Sequence, residues 1–389
     1  MRPLARQVLA SAGVCAVLAA GGAALTAWLV ARKLTAPMSE RSHGLTIRAV
    51  ERDVDTCTLV LDRTTETTRP GIYSLWFKHG GWAQLGSKAQ GRGPTQIARV
   101  VTGPSENLTP QPGDRVSWSG IYYATPRDAG LEARDIMITT QNGPAPAWRI
   151  DSNPSIWAIH IHGLGSTRAG TLRGVQVATD LGYTSLVVSY RNDGEGPLIG
   201  NGRSTLGFIE ADDVDAAIGY AIRRGAEKIV LFGWSMGANI ALQLAHPVQY
   251  RMQYRGLIVA LVLDSPVLDW TDVIRANCKR AGLTEHAGRL AMPWLTTQPL
   301  AQLLGLPCVL PLEEMNWVKR AHELEVPMVI LHGAQDDSAP ISAARSIQRQ
   351  RPDLVTLESF DAGHTLNWNV EPARWGDTVT KWLTEKVGS

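Results

Sequence analysis

A doubly wound, mostly parallel α/β sheet, preceded by a small β-rich domain and an N-terminal transmembrane helix, is the fold class this sequence predicts. Three patterns point to it. An uncharged apolar stretch runs from Val8 to Ala31. Short alternating strands broken by turn residues fill positions 44 to about 150. From Ser155 onward, near-continuous apolar runs alternate with helical patterns almost to the C-terminus.

The apolar stretch is preceded by Arg2 and Arg6 and closed by Arg32-Lys33. As a helix rising about 1.5 Å per residue, it is long enough to cross a bilayer. It is too long, and its exit too weak, for a cleaved signal peptide. Val14 is too bulky before Cys15 for a lipoprotein cleavage site. Residues 1–36 are therefore expected to be a membrane anchor. The flanking positive charges balance, so they do not fix its orientation. A long domain after such an anchor is usually exported, and an extracytoplasmic location is expected.

After a polar linker, Pro37 to His43, the sequence predicts a β-rich domain reaching to residue 150. Leu45 to Val50 and Thr58 to Leu61 alternate in polarity, and further strands are expected at Ile72 to Phe77, Ile97 to Val101, Val116 to Tyr123 and Ile136 to Thr140. Arg69-Pro70-Gly71, His79-Gly80-Gly81 and Gln111-Pro112-Gly113-Asp114 supply the turns. No residue pattern in this domain carries recognisable chemistry, and the sequon Asn107-Leu108-Thr109 reads as a chance match.

Composition narrows the function. The 38 basic and 36 acidic residues nearly cancel, for a formal net charge of +2, and nucleic acid is excluded as a partner. The four cysteines, Cys15, Cys57, Cys278 and Cys308, form no CxxC pair and no metal-ligand spacing with histidine, so a metal site is not expected. Cys278 and Cys308 are equally readable as a bridge or as buried thiols.

Residues 151–389 are expected to form the α/β domain. Parallel strands are predicted at Trp157 to His162, Ser185 to Tyr190, Lys228 to Phe232, Leu257 to Leu263, Pro327 to Leu331 and Leu354 to Phe360. Helices are predicted at Ile209 to Arg224, Met236 to Leu244, Ile341 to Arg351 and Pro372 to Val387. In such sheets ligands bind at the strand C-termini. Chemistry gathers there. Gly233-Trp234-Ser235-Met236-Gly237 joins a strand to a helix, so Ser235 must sit on a sharp turn beside a helix N-terminus. A serine hydroxyl needs an adjacent base, and His364 follows the last strand at the same sheet edge. Asp336, just past the preceding strand, can fix the histidine's tautomer. The Met236 and Leu164 backbone N–H groups are the expected oxyanion donors, Leu164 lying in His162-Gly163-Leu164-Gly165.

With His332-Gly333-x-x-Asp336 and Gly363-His364, these motifs resemble the α/β-hydrolase superfamily, most closely its bacterial serine aminopeptidase and acylglycerol lipase-like branch. Ser189-Tyr190-Arg191-Asn192-Asp193 and Leu263-Asp264-Ser265-Pro266 with Asp269-Trp270 add to the likeness, which spans roughly Trp157 to Trp382. One departure is Ala238, where many relatives carry a second glycine. The resemblance implies cofactor-free hydrolysis through an acyl-enzyme, on an ester or peptide-like small molecule. A carboxylic ester is the leading expectation. A peptidase or aminopeptidase, an acyltransferase, and an idle hydrolase-fold binding protein are the alternatives. The helical insertion at 271–323 stands where such folds carry a lid.

Neighbouring residues compete for some roles. Asp337 or Asp264 are rivals to Asp336. His160 and His162 face one side of a strand but lack further ligands, and read as structural. Arg191 and Asp193 read as a local salt bridge holding their loop. An unprotonated base implies activity near neutral pH or above.

Overall fold

The computed structural model describes residues 21–103, 109–246 and 256–388. Cys15 and the first two sequon residues lie outside them. Strands β1 (Leu45–Arg52), β2 (Cys57–Asp62), β3 (Tyr73–Phe77), β4 (Trp82–Gly91), β5 (Gln96–Gly103) and β6 (Arg115–Ser119) close into an antiparallel barrel, in the order β1-β2-β5-β4-β3-β6. Alternation directs Ile47, Leu59, Leu61, Leu75, Leu85 and Val116 into its core. β4 is not legible in the sequence, because Gly86, Ser87 and Lys88 break its apolar pattern where the register slips between Leu85 and Ala89. Arg99 is wholly buried and donates to the carbonyls of Thr67, Gly71, Gly86 and Ser87, tying together loop and strand ends.

The second sheet has eight strands. Its chain order is β7 (Arg134–Thr140), β8 (Gly143–Ile150), β9 (Asn153–Ile161), β10 (Tyr183–Val188), β11 (Lys228–Trp234), β12 (Ile258–Asp264), β13 (Met328–Gly333) and β14 (Val355–Phe360). In space the order is β14-β13-β12-β11-β9-β10-β8-β7, parallel from β14 to β10 and antiparallel at β8 and β7. The boundary expected at residue 150 therefore falls two strands late. An alternating, half-exposed strand reads the same whichever sheet it joins, so β7 and β8 could not be told from barrel strands.

Helices α2 (Leu172–Asp180), α3 (Glu210–Ile222), α4 (Met236–Ala245), α8 (Ser342–Gln350), α9 (Asn367–Val370) and α10 (Pro372–Val387) connect and cover this sheet. The insertion between β12 and β13 carries α5 (Trp270–Arg280), α6 (Glu285–Thr296) and α7 (Gln298–Leu304), whose Ile274, Ala291, Leu295 and Leu304 join the main core. Among the described residues Cys57, Cys278 and Cys308 are free, so Cys278 and Cys308 are not bridged.

Helix α1 is described over residues 21–34. It packs on the α/β domain: Ala27 and Ala31 are buried, and Trp28, Val30 and Leu34 lie against the main core. Arg203 Nη1 donates to the Arg32 carbonyl at 3.0 Å and to Thr35 Oγ1 at 3.1 Å. The transmembrane helix expected over Val8 to Ala31 finds no support. Among the described residues no helix is long and apolar enough to cross a membrane, and residues 8–20 of that run lie outside them. The apolar character of Ala27 to Ala31 is used instead for packing against the protein's own core.

Candidate active site

Ser235 stands between β11 and α4 with φ 54° and ψ −114°. A non-glycine residue at positive φ is strained, and the strain persists only where surrounding structure fixes it. Gly237 makes the turn possible: a Cβ there would lie 2.2 Å from the Ile161 carbonyl oxygen. Ala238, the departure from the family pattern, is accommodated in the core.

The His364 ring bridges Ser235 and Asp336. Its Nδ1–H donates to Asp336 Oδ2 at 2.7 Å, which leaves Nε2 to accept from the Ser235 hydroxyl at 2.8 Å. Asp336 Oδ1 accepts the Ser338 and Ala339 N–H groups at 2.9 and 2.8 Å, and His332 Nε2 lies 3.3 Å from Oδ2. Burial alone would raise this carboxyl. The His332 and His364 hydrogen bonds outweigh burial and hold it well below the usual carboxylate range.

The rival carboxylates point elsewhere. Asp337 is exposed and pairs with Arg280. Asp264 is buried and accepts from Ser265, Asn367 and Trp375, with burial raising its pKa.

The expected oxyanion donors flank Ser235. Met236 opens α4, so its N–H has no acceptor within the helix. Among the described residues the Leu164 N–H also has none. The Gly163 turn beside it packs so closely that a Cβ there would sit 2.9 Å from Ser235 Cβ.

His160 is buried against Ser185 Oγ at 3.2 Å, and burial pushes its pKa down to about 3. His162 Nε2 donates to Asp193 at 2.9 Å, and its Nδ1 meets the Tyr190 hydroxyl at 2.9 Å. The salt bridge expected between Arg191 and Asp193 is not formed. Arg191 pairs with Asp213 through two contacts of 2.7 Å, while Asp193 accepts from His162, Ser189 and the Tyr190, Glu195 and Gly196 N–H groups. Chain neighbours on a loop often face opposite ways, and the true partner of Arg191 lies on α3. Among the described residues no three His, Cys, Asp or Glu side chains gather as a metal-ligand group.

Two cavities share the wall His162 to Leu164. One, of about 90 Å³, is lined by Ser235, His364, Trp234 and Arg173. The other, of about 400 Å³, is bounded on one side by residues 33–34 and 36–41 and on the other by residues 190–193. The 271–323 insertion, expected as a lid, contributes no lining residue to either cavity. The chain just after α1 lines the larger one instead. Sequence reasoning missed this segment and Arg173. Neither carries a motif, and only the fold brings them to the sheet edge.

A family model described as alpha/beta hydrolase family matches residues 158–377, and a domain of unknown function (DUF8805) matches residues 46–119, the barrel. Among solved structures, esterase Pf2001 of Pyrococcus furiosus is similar at 20% identity and TM-score 0.53, covering 68% of this chain and 97% of that one. An esterase of Rhodococcus sp. ECU1013 is similar at 17% identity and TM-score 0.44, covering 66% and 100%. No curated protein matches.

Proposed function

Since the chain belongs to the alpha/beta hydrolase family, we propose that it is a serine hydrolase of carboxylic esters, with Ser235 as nucleophile, His364 as base and Asp336 as orienting acid. The observation that carries this reading is the hydrogen-bonded chain from Ser235 Oγ through the His364 ring to Asp336. Ser235 Oγ attacks the ester carbonyl while His364 Nε2 takes its proton. The oxyanion is held by the Met236 and Leu164 N–H groups. His364 then passes the proton to the departing alcohol, leaving an acyl-Ser235. Water, deprotonated by the same nitrogen, releases the acid and restores the serine. Asp336 keeps the Nδ1 proton in place and stabilises the imidazolium formed at each step.

An aminopeptidase needs a carboxylate near the nucleophile to hold a free amine. The 90 Å³ cavity at Ser235 is lined by a cation, Arg173, and by no carboxylate among its described residues, which favours the ester. The test is labelling of the full chain in detergent with a fluorophosphonate, beside Ser235→Ala. Labelling that vanishes in the variant is expected. A folded wild-type chain that neither labels nor cleaves p-nitrophenyl esters would refute the assignment.

A further inference from the structure

Arg173 is a buried cation that the reaction just described does not use. It stands on α2, 5% exposed, and lines the small cavity together with Ser235 and His364. Its Nε donates to the Gly170 carbonyl at 3.2 Å. Nη1 donates to the Thr365 carbonyl at 2.9 Å and to Asn369 Oδ1. The guanidinium carbon lies 4.4 Å from the centre of the Trp234 ring. Nη2 has no acceptor among the described residues.

A cation taken out of water is strongly disfavoured unless an anion faces it. Asp264 acts on Arg173 only at a distance, and both its carboxylate oxygens are engaged by Ser265, Asn367 and Trp375. Burial lowers the arginine to about 10, so it is charged at neutral pH. Tying the loop after His364 needs only Nη1, and a neutral donor would do as much. The charge and the third nitrogen are surplus to that task.

We propose that Arg173 is an anion-recognition group for the substrate, and that the preferred substrates are esters carrying a carboxylate two or three atoms from the scissile carbonyl. This rests on the ester-hydrolase reading above. The cavity's size sets the reach: at roughly 30 Å³ per water, 90 Å³ holds about three water-sized groups. A short chain ending in a carboxylate fits that space, with Nη2 donating to the carboxylate. The other half of the ester runs past the His162 to Leu164 wall into the 400 Å³ cavity.

The test compares two esters of matched acyl length, ethyl butyrate and monoethyl succinate, followed by acid release in a pH-stat, on the full chain in detergent. The ratio of their kcat/KM values does not depend on the fraction of enzyme folded. Monoethyl succinate is expected to be favoured by about ten- to a hundredfold, the worth of a charge-assisted hydrogen bond. In Arg173→Gln the ratio falls towards one, and Arg173→Lys keeps an intermediate preference. A wild-type ratio at or below one, or an unchanged ratio in Arg173→Gln, overturns the proposal while leaving ester hydrolysis standing. Binding is read separately, by calorimetric titration of monomethyl succinate into Ser235→Ala. Binding that weakens at least tenfold when Arg173→Gln is added supports the subsite even if neither ester is cleaved. No binding to Ser235→Ala overturns it.

Discussion

Asp336→Asn tests the orienting role most directly, because the surrounding bonds dictate which way the amide must face. Asp336 Oδ1 accepts two backbone N–H groups, from Ser338 and Ala339, at 2.9 and 2.8 Å. An asparagine keeps its oxygen there, since the opposite orientation would set its NH₂ against two donors. The NH₂ therefore takes the place of Oδ2 and points at His364 Nδ1, now 2.7 Å from that oxygen. To accept from it, the imidazole must move its proton to Nε2. That nitrogen then presents a hydrogen to Ser235 Oγ, 2.8 Å away, and can no longer take the serine's proton. In a serine protease the equivalent change lowers kcat by about 10⁴, and a similar loss is expected here, close to 5 kcal/mol of transition-state stabilisation. The assay is kcat on a p-nitrophenyl ester between pH 7 and 9, with thermal melting to establish that the variant folds. A folded Asp336→Asn enzyme retaining more than about a tenth of wild-type kcat would refute the reasoning, since a wrong tautomer cannot be that active.

Other predictions follow from neighbouring contacts. Gly163→Ala sets a Cβ 2.9 Å from both Ser235 Cβ and the Trp234 carbonyl oxygen, displacing the Leu164 donor. kcat should fall by about 10²-fold, the effect of losing one oxyanion donor, and near-normal turnover would show that Leu164 is not that donor. Arg191→Ala strands the buried Asp213 without its partner and should destabilise by about 3–5 kcal/mol in chemical denaturation, whereas a surface ion pair would lose under about 1. Asp193 gives a pH signature. Burial would raise its carboxyl, but bonds from His162, Ser189 and Gly196 prevail and hold it below the unfolded value of about 3.9. A depressed folded pKa stabilises fully above the unfolded value and loses that contribution as pH falls through the folded one. The melting-temperature gap between wild type and Asp193→Asn should therefore be steady from pH 8 to about 5 and narrow below about 4. A gap independent of pH would contradict this.

What was legible in the sequence is what the local chain determines. Ser235 is fixed by five residues on a strand-turn-helix, and His364 and Asp336 each follow the end of a strand, so period and motif suffice to place all three at one sheet edge, where the structure brings them together. What was not legible depends on contacts far apart in sequence. Arg191 finds Asp213 across 22 residues rather than Asp193 next door. β7 and β8 join the large sheet through pairing with β10, which no pattern inside them specifies. Hydropathy alone does not decide what the apolar stretch near the N-terminus packs against. A helix whose Ala27 and Ala31 pack on a core shows the same hydropathy as one entering lipid. Likewise nothing around Arg173 marks it, because its meaning comes from Thr365 and Asn369, nearly two hundred positions away.

The barrel gains a physical role from the same long-range contacts. Thr365, immediately after His364, has φ 55°, a strained conformation for a β-branched residue. It is held from two sides, its N–H donating to Ser265 Oγ at 2.9 Å and its carbonyl accepting from Arg173. Four residues on, Asn369 Nδ2 donates to the carbonyls of Ile72 and Gly120 at 2.7 and 3.0 Å, and its own carbonyl accepts the Ile72 N–H at 2.8 Å. Gly71 completes the contact: a Cβ there would lie 2.5 Å from the Asn369 carbonyl oxygen. The loop carrying His364 is thus anchored to the sheet through Ser265, to α2 through Arg173 and to the barrel through Asn369. In its proposed role as base, His364 must stay within hydrogen-bond reach of Ser235 and benefits from such bracing, because small misplacements of a reacting group are costly in rate. The segments around Ile72 and Gly120 therefore belong to the framework that holds the His364 loop in place, and through them the barrel braces the candidate site.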